Sequence, residues 1–113
     1  MKKNLKELSN QIEKFNKERD WDQFHNIKDL AISLNLECSE FLECFQWKTS
    51  EETAQTNRSL MAEEIADILI YILIICKKLD IDLIEEAYKK LYQNSKKYPV
   101  QKAYGNNKKY TEL

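Results

Sequence analysis

Glu64-Ile65-Ala66-Asp67-Ile68-Leu69-Ile70-Tyr71-Ile72-Leu73-Ile74-Ile75-Cys76 is the stretch on which the fold turns. From Ile68 to Cys76 it is apolar without interruption, far short of the roughly 18 residues that a membrane span requires. The spacing predicts a helix from near Arg58 to Leu79. A helix that is apolar on every side must be covered on every side. In a chain of 113 residues, three further short helices can hardly do this alone. A homo-oligomer would bury the second face; the plainer alternative is a central helix in a monomer.

The flanking sequence is helical as well. Leu5, Leu8, Ile12 and Phe15 recur at spacings of three and four, giving an amphipathic helix from about Asn4 to Glu18. Leu30, Leu34, Phe41 and Phe45 share one face of a second helix from near Asn26 to Trp47. Thr49 to Thr56 carries no apolar periodicity and reads as a loop with at most a helical turn. Asp82 followed by Glu85 has the spacing of a capping box and starts a further helix that reaches about Ser95. Tyr98-Pro99 stops it, because proline disfavours helix in the residue before it. The expected fold is an all-α, four-helix domain over residues 1–99, with residues 100–113 as an extended C-terminal tail.

Composition narrows the function. One Gly and one Pro in the whole chain nearly exclude a β-rich fold, and also the glycine loops that cradle phosphates. Any phosphate must be held by side chains and metal. The formal net charge of −1 gives no basic surface for a nucleic acid polymer. Cys38, Cys44 and Cys76 form no CxxC pair and His25 is the single histidine, so a zinc site is not expected. The scattered thiols suit a reducing compartment. The basic start, Met-Lys-Lys-Asn-Leu-Lys-Glu, leads into no apolar core, so no signal peptide is expected. A cytoplasmic protein without membrane contact follows from these points.

The acids lie where surface charge should not. Glu37-Cys38-Ser39-Glu40 and Glu64-Ile65-Ala66-Asp67 each hold two carboxylates three residues apart, on one helix face. At about 100° per residue from Glu37, Glu40 lies near 300°, while Leu30, Phe41 and Leu34 lie between about 20° and 60°. From Glu64, Asp67 is again near 300°, with Ile75, Ile68 and Met61 between about 20° and 60°. Two helices thus aim four carboxylates at the region where their apolar faces meet. Without cations the four would repel one another and lose hydration. Oxygen-only ligands favour Mg²⁺, or Mn²⁺. Di-iron cages pair Glu-x-x-His motifs, and His25 lies outside both pairs. One such motif alone would ordinarily be a solvated helix face; two on successive apolar faces point to metal.

Other side chains fall in line with these pairs. Cys44 and Trp47 continue the Glu37/Glu40 face, and Tyr71 continues the Glu64/Asp67 face. Lys90 and Asn94 stand four apart and would present a cation and an amide side by side. Trp21, Phe24, His25 and Trp47 offer aromatic surface that can stack a base. The plain alternatives are that the tryptophans are core and Lys90 is solvated.

With these blocks in place the sequence resembles the MazG-like all-α nucleoside triphosphate pyrophosphohydrolases, and among them the dCTP pyrophosphatases. The resemblance rests on Arg19-Asp20-Trp21-Asp22-Gln23-Phe24-His25, on Glu37 to Glu40 through Phe45-Gln46-Trp47-Lys48, and on Glu63-Glu64-Ile65-Ala66-Asp67 with Ile70-Tyr71. Asn94 to Pro99 and Lys109-Tyr110-Thr111-Glu112-Leu113 match too. It implies a MazG-like bundle assembled as a dimer or a dimer of dimers, that is, a homotetramer. It implies metal ligands at Glu37, Glu40, Glu64 and Asp67, base and sugar contacts at Trp21 to His25, Trp47 and Tyr71, and phosphate contacts at Lys90 and Asn94. The implied reaction is Mg²⁺-assisted hydrolysis of a (d)NTP, dCTP or a modified dCTP, to the monophosphate and diphosphate. Glu40 would take the proton of the attacking water, and Lys90 would offset charge on the departing diphosphate. The chain departs from its relatives at Ile12, where they carry a histidine, and at Leu36 and Ser39, where they carry glycines. The competing functions are a non-catalytic helical oligomerisation module and a nucleotide sensor without turnover.

Overall fold

The computed structural model describes residues 3–113 and contains helices and turns but no strand among them. Six α-helices appear where four were expected: α1 (Leu5–Glu18), α2 (Ile27–Glu43), α3 (Ser50–Thr56), α4 (Arg58–Leu79), α5 (Leu83–Lys97) and α6 (Val100–Ala103). Short 3₁₀ turns cover Asp22–Phe24 and Tyr110–Glu112. The chain divides into two compact units, the first ending at Asp80 and the second beginning at Ile81.

In the first unit α1, α2 and α3 each start at a polar side-chain cap. The Glu7 N–H donates to Asn4 Oδ1 at 2.8 Å and the Asp29 N–H to Asn26 Oδ1 at 2.9 Å, which satisfies amides that a helix start leaves open. The segment Thr49–Thr56, expected as a loop, is helical because of polar rather than apolar anchoring. Thr49 and Glu52 close a capping box, and the Thr53 hydroxyl donates to the Thr49 carbonyl at 2.9 Å with Thr53 fully buried. The helix α2 ends at Glu43, earlier than the expected Trp47. Beyond it the backbone tightens to three-residue spacing, Phe45 N–H to Leu42 O and Gln46 N–H to Glu43 O. Trp47 then adopts the left-handed conformation at φ 65°. The helix α4 has the bounds that its sequence predicts and ends at Asp80, also left-handed at φ 53°.

The helix α2 packs along α4, and α1 and α3 lie against α4 as well. Ile12 from α1, Leu30 from α2, Cys44, and Leu73 and Ile74 from α4 form the buried apolar core. Leu30 is sealed, at 1 % exposure. The α2–α4 contact sets the two acidic pairs against each other.

The second unit begins with the Asp82 cap, whose carboxylate accepts from the Glu85 N–H at 3.1 Å. The chain beyond Pro99 is not uniformly extended: it forms α6, turns at Gly105 (φ 77°), and returns so that Tyr110 packs edge-on against Tyr98, ring centres 6.1 Å apart. Among the described residues no helix is long and apolar enough to cross a membrane.

Candidate metal centre and adjoining cavity

Glu37 and Glu40 lie one turn apart on α2, and Glu64 and Asp67 one turn apart on α4. One carboxylate oxygen each from Glu37, Glu40 and Glu64 lies within 4.8 Å of the others. Asp67 stands outside this group of three but close enough for its charge to act on both Glu37 and Glu64. Glu37 is pushed up to about 7 from its usual 4.5, chiefly by burial, then by a hydrogen bond with Glu40 and by the charges of Glu40, Asp67 and Glu64. Glu64 is raised in the same way, burial first and Glu40 second. Both shifts favour the protonated acid over the carboxylate, and both have burial as their first cause.

The donor set suits a hard cation. Glu37 Oε2 and Glu64 Oε2 are buried with no hydrogen-bond partner. Such orphaned acceptors are costly unless a proton or a cation meets them. Oxygens on opposite sides of Mg²⁺ stand roughly 4.2 Å apart, twice a bond of ~2.1 Å. A spread of up to 4.8 Å therefore needs only a small side-chain adjustment. Among the described residues no nitrogen or sulfur ligand joins the three, which favours Mg²⁺ or Mn²⁺ over zinc.

Beside the carboxylates lies a cavity of about 410 Å³, large enough for a nucleoside. Glu37 and Asp67 line it, with Trp21, His25 and Tyr71. Five residues singled out from the sequence thus meet around one space. His25 contributes a buried Nδ1 with no hydrogen-bond partner. Trp21 is held by Phe15, whose ring it meets edge-on at 5.6 Å, and Arg19 lies over that same Phe15 ring at 3.7 Å.

Phe24 and Trp47 are not among the residues that line this cavity. Phe24 is 63 % exposed. Trp47 is 92 % exposed, turned outward by its left-handed backbone. Lys90 and Asn94 stand one turn apart on α5 in the second unit, Lys90 exposed and Asn94 half-buried. Conversely, α1 supplies Gln11, Ile12, Phe15 and Asn16 to the cavity wall, although its sequence suggests only an amphipathic helix. A faint signal exists: Asn16 follows Ile12 by four and so breaks the apolar stripe with an amide.

An all-α protein in which acid pairs on two packed helices adjoin a nucleoside-sized cavity carries a donor set suited to a hard divalent cation. The MazG-like family profile matches residues 32–113, so the chain belongs to the MazG-like family. Among characterised relatives, dCTP pyrophosphatase 1 of Bos taurus is 38 % identical over 104 residues, covering 88 % of this chain and 62 % of the relative. The Homo sapiens protein of the same name is 36 % identical, with 88 % and 61 % covered. The chain thus spans only about 62 % of the length of these curated relatives. The crystal structure of a pyrophosphatase from Archaeoglobus fulgidus superposes with a TM-score of 0.81 at 36 % identity, covering 88 % of this chain and 95 % of that one.

Proposed function

We propose that this protein is a nucleoside triphosphate pyrophosphohydrolase, dependent on Mg²⁺ or Mn²⁺, that converts a (d)NTP and water to the (d)NMP and diphosphate. The observation that carries this reading is the convergence of Glu37, Glu40 and Glu64 beside a cavity that also takes Glu37 into its wall. The names of its relatives favour dCTP or a modified dCTP as substrate, hence a role in clearing the nucleotide pool in the cytoplasm.

Glu37, Glu40, Glu64 and Asp67 are the ligands in this reading. The bound cation would neutralise triphosphate charge and make the α-phosphorus more electrophilic. Trp21 and Tyr71 flank the base and sugar, and His25 offers its unpartnered Nδ1 to a polar group. Phe24 and Trp47 remain candidates for the outer rim of the substrate. Water attacks the α-phosphorus, the bond from the α-phosphorus to the bridging oxygen breaks, and diphosphate leaves. Glu40, more exposed than Glu37 and Glu64, accepts the water's proton. Lys90 and Asn94 are assigned to the phosphates, with Lys90 offsetting charge on the leaving group. The protein works as a homo-oligomer, which supplies the second cover that α4 and α2 require. Leu36, Leu42 and Ile65 stand 57 %, 69 % and 52 % exposed in the single chain.

Diphosphate release from a panel of canonical and 5-modified nucleoside triphosphates, with Mg²⁺ and with EDTA, tests the reading. Turnover of dCTP with Mg²⁺ and none with EDTA is the expected result. A protein that releases no diphosphate from any of them, and whose melting temperature ignores Mg²⁺ plus nucleotide, would be a helical oligomerisation module instead.

A further inference from the structure

Asn16 is the polar residue that the core least explains. It occupies the last turns of α1, where asparagine is a poor helix former, yet it is only 5 % exposed. Four residues after Ile12, it continues the stripe of α1, the helix that lies against α4. Its backbone carbonyl accepts from the Arg19 N–H at 3.2 Å and the Trp21 N–H at 3.0 Å, which fixes the residue where α1 hands over to the Trp21 turn. Together with Ile12 and Ile74 it borders both the 410 Å³ cavity and a neighbouring one of about 250 Å³. Asn16 is therefore nearly buried in protein yet borders open space on two sides. The same 410 Å³ cavity is lined by His25, whose buried Nδ1 has no hydrogen-bond partner.

We propose that Asn16 is a specificity-determining residue whose side-chain amide binds the hydrogen-bonding edge of the substrate's pyrimidine base. This rests on the reading of the cavity as a nucleotide site. An amide presents one acceptor oxygen and two N–H donors. Cytosine presents the complement on adjacent atoms, the N4 amino donor and the N3 acceptor. The wall beside Asn16 is aromatic, from Phe15 and Trp21, so the base can stack while its edge meets the amide. A base without that edge would leave the buried amide unpartnered, which is how a polar site rejects an analogue of the same shape.

The test pairs the residue with the group it is said to read. Wild type, Asn16→Leu and Asn16→Ala are assayed for diphosphate release from dCTP and from the pyrimidin-2-one deoxynucleoside triphosphate, which lacks the 4-amino group. Wild type should prefer dCTP in kcat/KM by at least about tenfold, the scale of one hydrogen bond to a buried group. In both variants the preference should fall toward one, through KM rather than kcat, because only dCTP loses a partner. If the preference survives both substitutions, or wild type shows none, Asn16 does not read the base. Should Asn16→Leu fail to fold, as a lost melting transition would reveal, Asn16→Ala decides alone. A wild type that hydrolyses neither nucleotide overturns the nucleotide-site reading and this assignment with it; hydrolysis of both at equal rates overturns this assignment alone.

Discussion

Glu37 on α2 and Glu64 on α4 each bury a carboxylate oxygen that meets no hydrogen-bond donor, and both reach to within 4.8 Å of Glu40. Two helices packed along each other would not retain such a pair for stability alone, since paired acids in a poorly hydrated place repel. The arrangement is costly to the free protein, and in the proposed function a cation would relieve that cost.

Neutralising one member should therefore separate stability from function. Glu64→Gln removes a charge from the cluster while keeping its shape. In EDTA its melting temperature should exceed that of wild type. Its Mg²⁺ affinity should fall by about 10- to 100-fold or more, the scale of losses at supporting metal-site groups. Calorimetric titration with Mg²⁺ and thermal melts measure both; a variant that binds Mg²⁺ as tightly as wild type would remove Glu64 from the ligands.

The raised acid makes the pH dependence specific. Glu37 titrates near 7 in the folded protein against 4.5 as its ordinary value, so the folded state holds the proton more tightly than the unfolded one. The stability this contributes is fully present below about 4.5 and is lost as pH rises through about 7. In EDTA, melting temperature should decline from pH 5 to pH 8, and Glu37→Gln should lessen the decline. Mg²⁺ competes with the proton, so its affinity should run the opposite way and rise across the same interval. Melting curves at several pH values, with EDTA and with Mg²⁺, read both slopes.

The capping box of α3 gives a test of local stability. Thr49→Ala removes the acceptor of the Glu52 N–H and should cost about 1 kcal/mol in urea unfolding, with the m-value unchanged. This helix also shows where the sequence was hard to read. The bounds of α4, the starts of α1 and α2 near Asn4 and Asn26, the cap Asp82 and the acid pairs are legible, because caps and 3.6-residue periodicity are local signals. The helix α3 buries Thr53 through hydrogen bonds within its own turn, and no apolar stripe announces that. The contribution of α1 to the cavity depends on how α1 turns against α4, which is a tertiary fact. The outward direction of Trp47 follows from one left-handed backbone angle, which a tryptophan does not advertise.

Leu30 is the core residue whose removal should be felt at the candidate metal centre. It is the most buried side chain of α2, about two turns before Glu37 on nearly the same face, and α2 packs against α4. Leu30→Ala opens a cavity and should cost about 2–5 kcal/mol. It leaves every carboxylate in place, so a metal site that depended only on ligand identity would be unaffected. If the α2–α4 packing is what brings Glu37 and Glu40 to Glu64, Mg²⁺ affinity should drop as well, even at a temperature where the variant remains folded. Calorimetric titration of the folded variant at low temperature, alongside its urea midpoint, measures the two effects. Unchanged affinity at reduced stability would place the control of the carboxylate geometry elsewhere, in the turn from Cys44 to Trp47 that the Asn57 side chain ties down by donating to the Cys44 carbonyl at 3.0 Å.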